Sequence, residues 1–314
     1  MSSASSPPRS TLALIALVVG ALGIATSGIF VRWSETGPIA TAFWRGALAL
    51  PLLALWALRS RPLRGTSAGG RPPRDVRFFW AGFFFAGDLA LWHWSLLMTS
   101  VAASTLEANL APIVVTLIAW LIWGERPRPR FLLALAMALS GVLLMVSPKL
   151  AAGRGAMRGD LLGLGTACFY AGYIVVVSRL RSAHDTGAVM LRTTVVFTVL
   201  LMPLALTEKF LPDSRSGWAD LVGLALIAQV FGQGLIAFAL AHLPATFGSV
   251  GLYMQPIASA VYAWLLLGER LTPLQLVGAG VVLVAIALAR ASRARRTPSV
   301  GLGSEGALAR GDLE

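Results

Sequence analysis

The stretch PIVVTLIAWLIWGERPRP, from Pro112 to Pro129, decides the fold, because the chain contains it twice. It recurs 144 residues later as PIASAVYAWLLLGERLTP, from Pro256 to Pro273, where nine of its 18 positions are identical without a gap. A proline, a tryptophan and a Gly-Glu-Arg triplet at fixed spacing rarely coincide by chance in two apolar helices. The similarity extends upstream, since Arg45 aligns with Arg192 at an offset of 147 residues. The sequence therefore predicts two similar halves.

The composition excludes a soluble fold for these halves. Apolar residues make up 56% of the 314 residues and charged residues only 13%, whereas a soluble domain carries about 25% charged residues. Mean hydropathy is +0.74. A spanning helix needs about 20 apolar residues, so ten helices would take about 200 residues and leave short loops. We predict an all-α integral membrane protein with no sizeable soluble domain.

Ten apolar runs are long enough to be transmembrane helices. Continuous apolarity of this length indicates helix, because a barrel strand alternates polar and apolar residues over about ten positions. The predicted spans are 11–31, 38–58, 76–98, 101–123, 129–147, 158–179, 187–206, 219–241, 245–267 and 272–290. The halves would cover 11–147 and 148–290, and the polar segments 1–10 and 291–314 are predicted to be disordered.

The number of spans and the basic residues orient the chain. Five spans is an odd number, so the second half enters the membrane from the opposite side, which makes an inverted repeat. With both termini in the cytoplasm, 17 basic residues lie inside, seven outside and two within spans, as the positive-inside rule requires. We therefore predict a multi-pass protein of a bacterial-type inner membrane. The net charge is +12, but the charged residues lie between the apolar runs, as loop charges do, so they indicate no nucleic-acid partner.

Polar side chains inside the membrane are functional candidates, because they are costly to bury there. In an inverted repeat the substrate site lies near the midplane, at the interface between the halves. Polar and aromatic residues at helical spacing are the candidates for a cavity wall: Asp88, Trp92, Asn109, Tyr170, Tyr173, Gln229, Gln233, Tyr253 and Gln255. The alternative is that they form hydrogen bonds between helices.

Two further groups of residues have structural interpretations. Pro112 and Pro256 lie about 11 residues into their spans, where a proline weakens the helix and serves as a hinge or as a static kink. Arg45, His93 and Glu107 lie at similar depth, counted from the ends of their helices. An unpaired charge there would be costly, so we predict a structural pair between Arg45 and Glu107, with His93 beside it. A role in proton coupling is the alternative.

Two five-helix halves, each with Pro-x(11)-Gly-Glu-Arg before one closing helix, resemble the drug/metabolite transporter superfamily, EamA type. The resemblance covers about residues 10–290. It implies transport of small molecules through a central cavity lined mainly by helices 1, 3, 4, 6, 8 and 9. Members with this layout include exporters of amino acids and other metabolites. The YddG-type aromatic amino-acid exporters are one branch, and membership of that branch is our hypothesis.

Other classes of function find little support in the sequence. It contains no H-E-x-x-H, no G-x-S-x-G and no Walker P-loop, so we predict neither an enzyme nor ATP-driven transport. The one cysteine, Cys168, excludes an internal disulfide and a cysteine-based metal site, and we predict no cofactor. Prolines at corresponding positions argue against a simple channel. Monomer and dimer both stay open.

The side chains of the predicted cavity suggest a substrate. Aromatic walls, neutral amides and the single acid Asp88 suit a small zwitterion with an apolar side chain. No basic side chain is expected near the midplane, which disfavours phosphorylated substrates. We therefore predict export of aromatic or large neutral amino acids by alternating access. Efflux of a cationic amphiphilic drug is the alternative, because an acid and aromatic rings also suit a cation; another metabolite stays open as well.

Overall fold

The computed structural model describes residues 9–59, 75–98, 108, 110–124, 126–150, 157–243, 248, 252–267 and 272–294. All regular elements in these segments are helical. The α-helices are α1 (Arg9–Ala25), α2 (Ser27–Trp33), α3 (Pro38–Arg59), α4 (Arg77–Met98), α5 (Ala111–Trp123), α6 (Pro129–Leu150), α7 (Met157–Leu180), α8 (Thr186–Ala205), α9 (Arg215–Gly223), α10 (Gly234–Leu240), α11 (Met254–Leu267) and α12 (Pro273–Ala294). A π-helix (Leu224–Gln233) joins α9 to α10.

The apolar helices fit a membrane protein. Five of them are long and apolar enough to cross a bilayer: Thr11–Trp33, Pro38–Arg59, Leu161–Leu180, Thr186–Ala205 and Arg215–Leu240. Four more apolar helices are shorter: Ala111–Ile122, Pro129–Gly141, Ile257–Leu266 and Leu276–Ala285. Together with α4, they occupy the ten positions at which the sequence predicts spans. The predicted all-α membrane fold is confirmed.

Two spans differ in detail from the continuous α-helices predicted. The first is interrupted at Thr26, whose hydroxyl donates to the Gly23 carbonyl oxygen at 2.7 Å and so competes with the helix backbone. The eighth begins at Arg215, capped by the Ser214 hydroxyl, which accepts from the Gly217 N–H at 2.9 Å, and it widens into the π-helix. Such π segments occur mostly at functional sites and carry no strong sequence signal.

The π-helix packs closely against α1 through glycines. A Cβ atom placed on Gly20 would lie 2.8 Å from the Gly232 carbonyl oxygen, and one placed on Gly232 would lie 3.0 Å from the Ile24 backbone nitrogen. The two backbones can therefore touch only because neither glycine carries a side chain. Small residues serve this purpose at many helix contacts in membranes.

Helix contacts follow the internal repeat: for the main pairs of spans that pack together, the corresponding spans of the other half also pack together. Spans 2 and 7 (α3 and α8) pack together, as do spans 5 and 10 (α6 and α12), and each pair corresponds to itself. Span 3 (α4) packs on spans 6 and 7 (α7 and α8). Its counterpart, span 8, which contains the π-helix, packs on spans 1 and 2 (α1 and α3). Span 4 packs on span 6, while span 9 packs on span 1. Most of the helix packing that positions the site is therefore between halves.

Helices α4 and α7 approach closely by a reciprocal fit of phenylalanines into glycines. Phe84 of α4 lies over Gly172, where an added Cβ would be 2.7 Å from the Phe84 ring. Phe169 of α7 in turn packs over Gly87. Each ring therefore occupies space that a side chain on the opposite helix would fill. This contact fixes the neighbouring positions of α4 and α7, which both carry predicted site residues.

Candidate functional site

The candidate site is centred on the guanidinium of Arg45, a residue of α3 that is only 4% exposed. Its Nε donates to the Gln229 Oε1 at 3.0 Å. Gln229 lies on the π-helix, and its Nε2 donates to the Thr194 hydroxyl oxygen of α8 at 3.1 Å. One chain of hydrogen bonds thus joins three helices and fixes the orientation of the Gln229 amide. Both halves of the protein contribute to it.

Asp88 of α4 lies next to this chain of hydrogen bonds. Its charge and that of Arg45 are close enough to interact, although they form no ion pair within 4.0 Å among the described residues. Asp88 is half-buried, whereas Arg45 is buried. We call Arg45, Asp88, Thr194 and Gln229 the polar cluster. Two charges interact much more strongly in surroundings of low dielectric constant than they do in water.

The polar cluster corrects one expectation from the sequence. From the sequence, no basic side chain is expected near the midplane and Arg45 is assigned to a structural pair, whereas in the structure Arg45 lies within electrostatic range of Asp88, Tyr170 and Tyr173. Counting residues from the end of a helix gives the depth of a side chain but not the neighbours it reaches. The long arginine side chain extends towards helices of the other half, and this reach has no sequence signature.

An aromatic stack extends from the polar cluster. The Arg45 guanidinium carbon lies 5.5 Å from the centre of the Phe85 ring. Phe85 is stacked on Tyr173, with ring centres 4.6 Å apart, and Tyr173 is stacked on Tyr170, with ring centres 6.2 Å apart. We call Phe85, Tyr173 and Tyr170 the aromatic stack. It joins α4 to α7, and its two tyrosines are among the residues that the sequence predicts for the cavity wall.

Several buried polar atoms around this site have no hydrogen-bond partner among the described residues. They include Arg45 Nη2, the Tyr253 hydroxyl oxygen and Gln233 Oε1. Buried polar groups in native proteins are nearly always hydrogen-bonded to protein or water. These atoms are therefore candidates for contact with a polar ligand.

The other predicted site residues have varied surroundings. Trp92 is half-buried, and its ring centre lies 5.1 Å from that of His93, which is 2% exposed. His93 is also within electrostatic range of Arg45, as the matched depth predicts. Asn109 and Glu107 lie outside the described residues, so the pair between Arg45 and Glu107 stays a prediction.

The two prolines lie at the starts of helices. Pro112 is in the first turn of α5, which begins at Ala111, and Pro256 is in the first turn of α11, which begins at Met254. A proline is well tolerated in a first turn, because the N–H it lacks would have no partner within the helix. The prolines therefore lie where the described helices start, and the hinge stays a prediction.

A cavity of about 350 Å³ lies between α5 and α6, away from the polar cluster. Its wall is mainly apolar, with Thr116 and Arg126 as the polar members. None of the predicted substrate-binding residues lines this cavity. We therefore place the candidate site at the polar cluster and the aromatic stack.

Sequence analysis missed two members of the site, Phe85 and Thr194. The internal repeat holds a signal for the first, because Phe85 and Gln229 are 144 residues apart, the offset that aligns the two copies of the repeat. Both residues contact Arg45, one with its ring and the other with its amide oxygen. Thr194 is one of several threonines on α8, and its position in the sequence does not distinguish it from the others.

Comparison with known proteins supports a transport function. The EamA-like transporter family model matches the chain twice, at residues 11–147 and 157–291. The pseudopaline exporter CntI of Pseudomonas aeruginosa is 28% identical over 265 residues, which cover 84% of this chain and 89% of the exporter. The threonine/homoserine exporter RhtA of Escherichia coli is 26% identical over 133 residues, covering 41% of this chain and 44% of RhtA.

A solved structure supports the fold. A crystal structure of another protein superposes with a TM-score of 0.75 at 18% sequence identity. The match covers 92% of this chain and all of the other. At this level of identity the similarity concerns the fold alone.

Proposed function

Because this chain belongs to the EamA-like transporter family, we propose that it exports aromatic or large neutral amino acids across a bacterial inner membrane. The substrate would bind at the polar cluster and the aromatic stack and cross by alternating access of the two halves. Relatives of this chain are exporters of small metabolites. The choice of amino acids within that class is our proposal.

The observation that carries this proposal is the aromatic stack beside the polar cluster. Phe85, Tyr173 and Tyr170 form a stack in which Tyr170 is the half-buried end, and an aromatic or branched side chain can pack against that ring. The amide oxygen of Gln233 has no hydrogen-bond partner among the described residues, and it can accept a hydrogen bond from an amino acid. A site with few polar groups and mainly aromatic walls is typical of small-molecule pockets.

The exchange of packing pairs supports alternating access. The main contacts between helices have counterparts between the corresponding helices of the other half. Two halves related by a pseudo-two-fold axis are expected to show this. With five spans in each half, that axis would lie in the membrane plane, and the halves would be inverted. The asymmetry between basic residues on the two sides favours cytoplasmic termini. Two such halves can adopt each other's conformations, which opens the site to either side in turn.

Export of a cationic amphiphilic drug is less compatible with the polar cluster. Asp88 attracts a cation, but Arg45 lies within electrostatic range of the same carboxylate. A lone positive charge brought to Asp88 would therefore meet a buried positive charge as well. A zwitterion avoids this cost, because it carries a negative group for Arg45.

Export is tested in cells that overexpress the protein and grow in toxic analogues of phenylalanine or tryptophan. We expect resistance, and we expect Trp92→Ala and Gln233→Ala to lose most of it. Trp264→Ala is the matched control, because this tryptophan of α11 is 51% exposed and lies outside the site. Resistance to cationic dyes without any amino-acid phenotype would reject the amino-acid proposal.

Carrier and channel are distinguished by counterflow in proteoliposomes. Proteoliposomes that contain a carrier and are loaded with unlabelled phenylalanine accumulate labelled phenylalanine against its gradient. This happens because the carrier's site returns inwards with labelled substrate after it has released unlabelled substrate outside. A channel lets the label equilibrate only. Accumulation is the expected result, and simple equilibration would contradict alternating access.

A further inference from the structure

We propose that Arg45 and Asp88 are the specificity-determining residues for a zwitterion, with Arg45 binding the carboxylate of the substrate and Asp88 binding its ammonium group. The inference rests on the proposed function, because it concerns the same site. It goes further in assigning each charged group of the substrate to one side chain. It also makes the presence of both charges a requirement for binding.

Arg45 is built to bind an anion. Its Nε is held by Gln229, and the Gln229 amide is oriented by Thr194, so the guanidinium is fixed before substrate arrives. Its Nη2 is buried and has no hydrogen-bond partner among the described residues. The Gln229 amide satisfies Nε but carries no charge, and among the described residues no carboxylate forms an ion pair with the guanidinium within 4.0 Å. Arginine and carboxylate form strong charge-assisted hydrogen bonds, so a substrate carboxylate is the fitting partner.

Asp88 is suited to the ammonium group. It is an acid in the middle of an apolar helix, half-buried as a residue, and within electrostatic range of Arg45. No ion pair within 4.0 Å joins Asp88 to Arg45 among the described residues, and a third molecule between the two groups could contact both. A zwitterion beside them would give each side chain a partner of opposite charge and would add no net charge to the site.

The aromatic stack sets the direction of the substrate side chain. Phe85 precedes Asp88 by three residues on α4, so the two side chains lie on the same face of that helix. The Phe85 ring also carries the Arg45 guanidinium on its face. A substrate held by both charged residues would therefore have Phe85 and the stacked tyrosines next to its Cα substituent.

The proposal is tested by the thermal stability of the purified protein with matched ligands. Each series consists of an amino acid, its amide, which lacks the carboxylate, and its deaminated acid, which lacks the ammonium group. Phenylalanine and threonine each supply one series. A ligand that binds the folded protein raises its melting temperature by mass action. We expect the zwitterion of at least one series to bind more tightly than both analogues, by about 10- to 100-fold, as hydrogen bonds to charged groups do.

Variants assign the two charges. Arg45→Gln should remove the preference for the amino acid over its amide. Asp88→Asn should remove the preference for the amino acid over its deaminated analogue. Arg45→Lys keeps the positive charge and should retain part of the preference. Arg192→Gln is the control, because Arg192 aligns with Arg45 in the repeat but packs over Phe78, 4.7 Å from its ring centre. This variant should preserve the wild-type preferences.

The outcomes separate this proposal from the proposed function. Dependence on both charges in the threonine series alone would uphold the roles of Arg45 and Asp88 and reject the aromatic substrate. Binding of phenylalanine amide as tight as that of phenylalanine would overturn the role of Arg45, even if the variants do not fold. A melting temperature that no zwitterion raises would overturn the whole assignment.

Discussion

The carboxylate of Glu208 caps a helix of the other half, accepting from the backbone N–H of Ile39 at 2.8 Å. It also accepts from the N–H of Ala40 at 3.1 Å, so it satisfies two free donors in the first turn of α3. Glu35 does the same in the opposite direction. Its carboxylate accepts from the N–H groups of Asp213 and Ser214, which precede α9, at 2.8 and 3.0 Å. Each half thus supplies an acid to the start of a helix in the other.

Aromatic packing accompanies these caps. The Trp44 indole N–H donates to the Phe210 carbonyl oxygen at 2.7 Å, and the ring centres of Trp44 and Trp218 lie 5.0 Å apart. The hydrogen bond from the Ser214 hydroxyl holds the pKa of Glu35 below its usual value. The two halves are therefore joined firmly at this end of the helices.

Removal of the Glu208 cap should destabilise the protein. Glu208→Ala leaves two N–H groups of α3 without acceptors, and loss of a helix cap costs about 0.5–2 kcal/mol. Glu208→Gln keeps one acceptor oxygen and should cost less. The measurement is the unfolding midpoint in detergent. Asp213→Ala is the control, because its ion pair with Lys209 is exposed, and surface pairs contribute about 0–1 kcal/mol. Equal effects of Glu208→Ala and Asp213→Ala would contradict the capping role.

Stability should fall in acid through Asp75, which precedes α4. Its carboxylate accepts from Arg77 Nη2 at 2.7 Å and bonds to His184 Nε2 at 3.1 Å. The hydrogen bonds from Arg77 hold the pKa of Asp75 well below its usual value. A depressed pKa stabilises the folded state above the unfolded pKa of about 3.9, and this stabilisation is lost as the pH falls below that value.

The Asp75 prediction is checked by melting temperatures measured between pH 7 and pH 3. The wild-type protein should lose more stability on acidification than Asp75→Asn, which lacks the titrating group. Asp213→Asn should resemble the wild type. Parallel pH profiles for wild type and Asp75→Asn would mean that Asp75 contributes nothing.

The contact between α1 and the π-helix should not tolerate a side chain. Gly20→Ala places a Cβ 2.8 Å from the Gly232 carbonyl oxygen, and such overpacking costs about 1–3 kcal/mol. Gly280→Ala is the matched control in α12, where an added Cβ meets nothing within 4 Å. There alanine should be neutral or should stabilise by about 1 kcal/mol through its higher helix propensity. Similar melting temperatures for the two variants would contradict the close contact.

The predicted pair between Arg45 and Glu107 is tested by a double-mutant cycle. Arg45→Ala and Glu107→Ala should each destabilise by about 3–5 kcal/mol if the pair is fully buried, because each leaves one charge uncompensated. The double variant should then lose less than the sum of the single losses. Additive losses would show that the two side chains act independently, with Arg45 stabilised by Gln229 alone. Thermal unfolding of the four proteins gives the answer.

Topology is tested with a reporter fused after Arg290. The excess of basic residues on one side predicts that this end lies in the cytoplasm. A reporter that is active only in the cytoplasm should therefore be active, and one that is active only in the periplasm should be silent. The opposite pattern would reject cytoplasmic termini.

The fold was predictable because its determinants are local in sequence. Apolar runs of about 20 residues indicate spans wherever they occur, and the copies beginning at Pro112 and Pro256 show the duplication. The π-helix was not predictable, since its residues Gly232 and Gln229 make their contacts with α1 and Arg45, far away in the sequence. Both contacts are long-range.

Some residues of the candidate site stand out in the sequence, but their connections do not. Asp88, Tyr170, Tyr173 and Gln229 stand out as polar or aromatic residues in apolar helices, and the structure brings all four to Arg45. Arg45 was assigned to a structural pair instead, because depth along a helix does not reveal which way a long side chain extends. Phe85 was missed because one more phenylalanine in an apolar helix carries no signal by itself.

The exchanged caps also bear on how the protein is made. Glu208 follows Ile39 by 169 residues, so at 5–20 residues per second the ribosome synthesises it roughly 10–30 s later. During that interval α3 is in the nascent chain without the acid that caps it. Glu35, in contrast, is already present when α9 emerges. The two halves therefore differ during synthesis, because the first half waits for a residue that the second half supplies. A chain released before Glu208 would carry an uncapped helix end open to quality-control proteases.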